Sequence, residues 1–180
     1  VLVFLINPGA PAPLDPATGQ CGTHCRERIG GLLEDFDASG VQLVVPTPVL
    51  SELLIRSGNR QAEVIAALSD KRSVQLAPFD VAAAVENAAL RRSRTSAKSP
   101  GETKKDVSFD LQILAIARVA GASKILTDDE NLRKRASRAG MQTLGIADIP
   151  IADSKRQAPL FTGSRMAMES AATQGEPSSP

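Results

Sequence analysis

Residues 107–132 read VSFDLQILAIARVAGASKILTDDENL. The spacing predicts a helix, a turn at Gly121, a short strand through Ile125, Leu126 and Thr127, and the start of a second helix. Asp110 falls near the start of the first helix. Helical steps from it reach Ile113, Leu114, Ala117 and Gly121, a stripe of apolar and small residues. A carboxylate on a stripe that faces a core is costly unless a metal ion or a hydrogen-bonded cap compensates it.

The strand is followed by Asp128, Asp129 and Glu130. Open α/β sheets bind ligands beyond the carboxyl ends of their strands. Acids converging there from two helices suggest a divalent cation. A second reading stands beside it. Thr127 with Glu130 three residues on forms a capping box, and acids in a first turn complement the helix dipole. The residues alone leave both open, and the metal reading needs a third acid from elsewhere.

That acid is Glu52. Residues 41–45 read as a short strand, and Pro46-Thr47-Pro48 then opens a helix, with Thr47 as N-cap and Pro48 at the first helical position. The apolar face of this helix is Val49, Leu50, Leu53 and Leu54. Glu52 lies one turn past the strand end, the same kind of place that Asp129 occupies. Taken singly, it also fits an ordinary exposed helical Glu.

Further units flank these. Residues 1–6, VLVFLI, have the local propensity of a buried strand. A loop dense in Pro, Gly and Asp follows over residues 7–20. Cys21, His24 and Cys25 come next: two reduced thiols at a helix start, or part of a metal site that lacks a fourth ligand. A helix is expected over 24–39, carrying Ile29, Leu32, Leu33 and Phe36, and Gly40 ends it. A second short helix over 59–70 precedes a strand at 74–76, and Asp80 caps a helix over 81–90. Residues 131–139 complete the helix after Asp129, and 142–145 form the last strand. Alternating helices and strands give an α/β domain with a mainly parallel sheet. Residues 1–152 are expected to form one domain and 153–180 a flexible tail poor in apolar periodicity.

Between Leu90 and the helix of Asp110 the chain turns basic, with Arg91, Arg92, Arg94, Lys98, Lys104 and Lys105 against Glu102 alone. Such a run is either a solvated loop or a contact for a phosphate backbone. Asp106, four residues before Asp110, is expected to be the N-cap of that helix. The net charge of +1 provides no global field for a nucleic acid, so any contact must be local. With no Trp or Tyr and five Phe, an aromatic stacking platform is not expected. No apolar run approaches the about 20 residues of a membrane span. The sparse cysteines suit a cytoplasmic location.

Three segments together resemble the PIN-domain ribonucleases, the family that includes the toxins of many bacterial toxin–antitoxin pairs. PTPVLSELL at 46–54 is similar to the family's Glu-bearing helix. SFDLQILAIA at 108–117 is similar to its Asp-bearing helix, and ILTDDENL at 125–132 to its Thr-x-Asp. The resemblance spans roughly residues 1–152 and implies a three-layer α/β/α fold around a central parallel sheet. It implies Mg²⁺ or Mn²⁺ held by Glu52, Asp110 and Asp129, with Thr127 orienting a ligand or water and Asp128 a substitute for Asp129. The substrate would be single-stranded RNA, its backbone held by Arg91, Arg92, Arg94, Lys104 and Lys105. A toxin would also imply an antitoxin and a homodimer.

The start departs from the pattern. In the family, strand one ends in an Asp-x-Asn motif that precedes an apolar run like VLVFL. Aligned so, the first Asp would fall three positions before Val1, and residues 1–6 would begin a helix. The expectation is a chain that lacks most of the central strand and its acid. Two other readings are a non-catalytic PIN-like module that binds RNA or protein, and a different Mg²⁺-dependent phosphoryl-transfer domain using Asp128 and Asp129.

Overall fold

Pro, Gly and capping residues set many of the boundaries between the elements of this chain. A computed structural model describes residues 2–6, 10–14, 19, 22–93 and 97–151. The elements run α1 (Val3–Ile6), α2 (Cys25–Ser39), β1 (Leu43–Pro46), α3 (Thr47–Ser57), α4 (Gln61–Ser69), β2 (Val74–Ala77), α5 (Val81–Arg92), α6 (Lys104–Val119), β3 (Lys124–Leu126), α7 (Glu130–Arg138) and β4 (Gln142–Leu144). Single turns of 3-10 helix at Gly58–Arg60 and Ile146–Asp148 complete the list. The expected tail, along with Cys21 and Arg94, lies outside the described residues.

The first segment is helical, not extended. Residues Val3–Ile6 form one turn whose Phe4 is 3% exposed and packs on Cys25, Ile29, Ile146 and Ile149. The alignment to the family predicted this helix, and local propensity did not. Contact with α2 outweighs the branched side chains. His24, at φ 55°, turns the chain into α2 in the left-handed region, and Gly40, at φ 71°, turns it out again.

The strands alternate with helices and every pairing is parallel. β1 runs beside β2, from Leu43↔Val74 to Pro46↔Ala77, and β3 beside β4, from Lys124↔Gln142 to Leu126↔Leu144. Parallel neighbours need a crossover. α3 and α4 supply the first and α7 the second. Among the described residues these four strands form two two-stranded ladders and not one continuous sheet. Both ladders lie over one core, since Leu43, Val74 and Leu126 all pack against the cluster of Phe4, Ile29, Leu33 and Ile146.

The turn from β1 to α3 differs from the expected cap. Thr47 is itself helical, and its Oγ1 accepts from the Phe79 N–H at 3.3 Å. The hydroxyl ties α3 to the segment after β2 and caps nothing. Asp80 does cap α5 as expected, accepting from the Ala83 N–H at 2.9 Å.

α6 is the spine. Leu111, Leu114 and Ala115 are fully buried, and Val107, Ile113 and Ala117 are nearly so. They meet Leu90 of α5, Val49 of α3, Ile125 of β3, and Leu132 and Ala136 of α7 in one cluster. α5 packs along α6 in the opposite direction, with Arg91 bonded to Ser108 near one end and Arg118 3.1 Å from Glu86 near the other.

Candidate active site

The site starts from how α6 begins. Thr103 is its N-cap. The Thr103 Oγ1 accepts from the Asp106 N–H at 3.1 Å, and Asp106 Oδ2 accepts from the Thr103 N–H at 2.9 Å. Asp106 therefore closes a capping box from the third helical position and is not the N-cap expected from the sequence. The bonds from Thr103 hold its carboxyl below the usual carboxylate range. Because the helix begins at Lys104, Asp110 sits nearly two turns in and not near the start.

That depth sets the chemistry of Asp110. Its side chain is 13% exposed. Burial pushes its pKa up to about 6, the Asp129 charge adds to the rise, and the Arg135 guanidinium pulls the other way. Glu102 and Asp106 contribute smaller increments upward. A second acid whose charge acts on a buried carboxyl disfavours its ionised form, and a cation would relieve both.

Asp129 reaches this place from β3. It is the N-cap of α7, and its Oδ1 accepts from the Asn131 N–H at 2.8 Å and the Leu132 N–H at 2.9 Å. Thr127, 7% exposed, accepts the Asp129 N–H on its Oγ1 at 3.1 Å. The cap of this helix is thus Asp129, where the sequence had suggested Thr127 with Glu130. Glu130 instead pairs with Lys134 at 2.7 Å. Capping uses one oxygen of Asp129, and Oδ2 accepts no hydrogen bond among the described residues.

Asp128 turns elsewhere. Its Oδ1 accepts from the Ile146 N–H at 2.8 Å and lies 3.8 Å from Arg133 Nη2. Arg133 Nε also donates to the Thr127 carbonyl at 2.9 Å. Asp128 and Arg133 therefore join β3 to the turn after β4, where Gly145 leaves room for the guanidinium.

Glu52 is exposed on α3. Its helix touches α6 through Val49, one turn earlier. Among the described residues, no three His, Cys, Asp or Glu side chains form a group that could hold a metal ion. The charge of Asp129 acts on Asp110, and Glu52 is not among the groups that do. Two carboxylates still fit Mg²⁺ or Mn²⁺, because such an ion binds through one or two carboxylates and keeps several waters.

Two residues in this region were not singled out in the sequence. Arg135 is fully buried, and its Nη2 lies 2.5 Å from Glu102 Oε2 and its Nε 3.6 Å from Asp110 Oδ2. Glu102, read in sequence as the lone acid of a basic run, has a side chain only 4% exposed, and its Oε2 also accepts from the Ser99 N–H at 2.6 Å. A signal for Arg135 was present: it lies between Leu132 and Ala136 on the buried face of α7.

The basic residues gather at one end of the α5–α6 pair. Arg91 and Arg92 close α5, Lys104 and Lys105 open α6, and all four are exposed. At the other candidate cluster, His24 is exposed and the buried Cys25 thiol lies 3.7 Å from the Gly22 carbonyl. Burial pushes that thiol's pKa up. No helix among the described residues is long and apolar enough to cross a membrane.

A model of the PIN domain matches residues 25–137, which contain Glu52, Asp110 and Asp129. Comparison with curated proteins and with solved structures gives no match. PIN domains are generally nucleases that use divalent metal ions. The match covers more than half of the chain, and the protein belongs to the PIN-domain family.

Proposed function

We propose that the protein is a divalent-metal-dependent endoribonuclease acting on single-stranded RNA. The observation that carries this reading is the electrostatic coupling of Asp110 on α6 to Asp129 at the end of β3, inside the stretch that the PIN-domain model matches. Their side chains would hold Mg²⁺ or Mn²⁺, with Glu52 as a third ligand. Bound there, the ion would activate water and stabilise charge on the attacking and leaving oxygens of a phosphodiester. Thr127 fixes the Asp129 backbone and so the direction of its carboxylate. The exposed Arg91, Arg92, Lys104 and Lys105 would hold the RNA backbone by charge, which makes binding salt-dependent. In a toxin–antitoxin pair, this domain would be the toxin, active as a homodimer and held by its antitoxin.

The test is cleavage of a labelled single-stranded RNA with Mn²⁺, with Mg²⁺ and with EDTA. The chain is run beside a longer one bearing an Asp-containing strand ahead of Val1, and each beside its Asp110→Asn variant. Metal-dependent cleavage that Asp110→Asn abolishes is the expected result, in the longer chain at least. Cleavage at the wild-type rate by folded Asp110→Asn would remove Asp110 from the site.

The position of Glu52, exposed and outside any three-residue group that could hold a metal among the described residues, favours a second reading as a non-catalytic RNA-binding module. RNA binding without cleavage by either folded chain would select it. Activity on a small phosphate ester but not on RNA would indicate a different phosphoryl-transfer enzyme.

A further inference from the structure

α7 carries Arg135 on the face that packs Leu132 and Ala136 against α6. An arginine there loses its hydration entirely, and a buried ion pair seldom repays that cost in stability. An apolar residue would pack at least as well. A fully buried arginine at this place points to a task beyond holding α7 in place.

The geometry suggests the task. The Nε and Nη2 of Arg135 lie on one edge of the guanidinium and face two carboxylates, Asp110 at 3.6 Å and Glu102 at 2.5 Å. Asp110 Oδ2 lies within ion-pair distance of Nε, with no hydrogen bond between them. Charge matters equally. Arg135 alone would offset Asp110 and weaken the site's attraction for a cation. Glu102 cancels Arg135, so that Asp110 and Asp129 keep two net negative charges to meet a divalent ion. The assembly is not saturated: Arg135 Nε and Nη1 and Glu102 Oε1 are buried with no hydrogen-bond partner among the described residues.

We propose that the Glu102–Arg135 pair is a charge-neutral positioning device for Asp110, which orients this ligand without reducing the site's affinity for a divalent cation. The inference rests on the metal-dependent reading above. Glu102 and Arg135 are positioning residues and touch neither the ion nor the substrate.

The test is Mn²⁺ affinity measured by isothermal titration calorimetry at pH 7.5, with circular dichroism to establish folding. Wild type should bind tightest. Glu102→Gln keeps the shape of the side chain but leaves Arg135 uncompensated beside the ion, and should bind about tenfold weaker or worse. The double variant Glu102→Gln/Arg135→Met restores the charge balance but frees Asp110, and should fall between the two. A pair that only supports the fold would lower melting temperatures without producing that order. Folded Glu102→Gln binding Mn²⁺ as tightly as wild type would overturn the proposal. Should Glu102→Gln unfold, the double variant decides: wild-type affinity there overturns the positioning role, and several-fold weaker binding supports it. Wild type that binds no Mn²⁺ would instead sink the metal-dependent reading itself, and this inference with it.

Discussion

Asp110 on α6 feels the charge of Asp129 at the start of α7, which raises its pKa. Their opposition has a measurable consequence for stability. The folded pKa of Asp110, about 6, lies above its ordinary 3.8. Between these values the folded state holds more proton than the unfolded chain, so stability falls as pH rises through the window. Above about pH 6 the full penalty is present, and below about pH 4 it is absent. Allowing for solvent screening, we expect a cost of about 1–2 kcal/mol at pH 7.5 without metal. Asp110→Asn should recover about 1 kcal/mol of this and flatten the slope between pH 4 and 6. Urea unfolding in EDTA at four pH values checks it. A less stable variant at pH 7.5 would mean that attraction from Arg135 outweighs burial and repulsion.

Asp129 has two separable tasks. Asn caps a helix about as well as Asp does, whereas Ala forfeits about 1 kcal/mol. Asp129→Asn should therefore unfold at nearly the wild-type urea midpoint, and Asp129→Ala earlier. Both should lose the stabilisation that Mn²⁺ gives wild type, about 2.7 kcal/mol at a hundredfold excess over Kd. Thermal melts with and without Mn²⁺ separate the cap from the ligand. An Asn variant that keeps the full metal response would show that the Asp129 charge is not needed.

Asp128 is held for structure. Its Oδ1 satisfies the N–H of Ile146, a residue 1% exposed, and faces Arg133. Asp128→Ala should cost about 2 kcal/mol by leaving that donor unpaired. Asp128→Asn, which keeps an acceptor, should leave Mn²⁺ affinity within about twofold of wild type, a difference of about 0.4 kcal/mol. A much larger loss by calorimetry would return Asp128 to the ligand set.

Gly145 lies against the same pair for reasons of space and not of backbone freedom. At φ −92° any residue is allowed, but a Cβ would run into the Arg133 guanidinium and come 2.8 Å from Asp128 Oδ1. Gly145→Ala should destabilise by about 1–3 kcal/mol, an overpacking cost. Urea midpoints of the Gly145→Ala, Asp128→Ala and double variants should show that the two losses do not add.

Much of this protein could be read from spacing alone. Helical periodicity, Gly stops and the Asp80 cap located α2, α5, α6 and α7 to within a few residues, because those signals act between neighbours in the chain. The alternation of helices with short strands likewise predicted parallel pairing. The acids at Glu52, Asp110 and Asp129 stood out because each falls on or just after an element whose other residues are apolar. The capping residues were less legible: Thr103 and Asp129 take that role in place of Asp106 and Thr127, since the choice depends on which side chain reaches a free N–H.

What required the tertiary structure was the environment of each charge. In sequence, Glu102 is the odd acid of a basic run and Arg135 one of several cations in LRKRASR. Only the packing of α7 on α6 removes both from water, pairs them with each other and brings Arg135 within 3.6 Å of Asp110. Packing likewise turned residues 3–6 into a helix against local propensity, and sent Asp128 to Ile146 while its neighbour Asp129 caps α7. Neighbours along the chain determine where an element begins and ends. Desolvation and pairing of charge depend on residues that meet only after folding, and they decide which of these acids are available for chemistry.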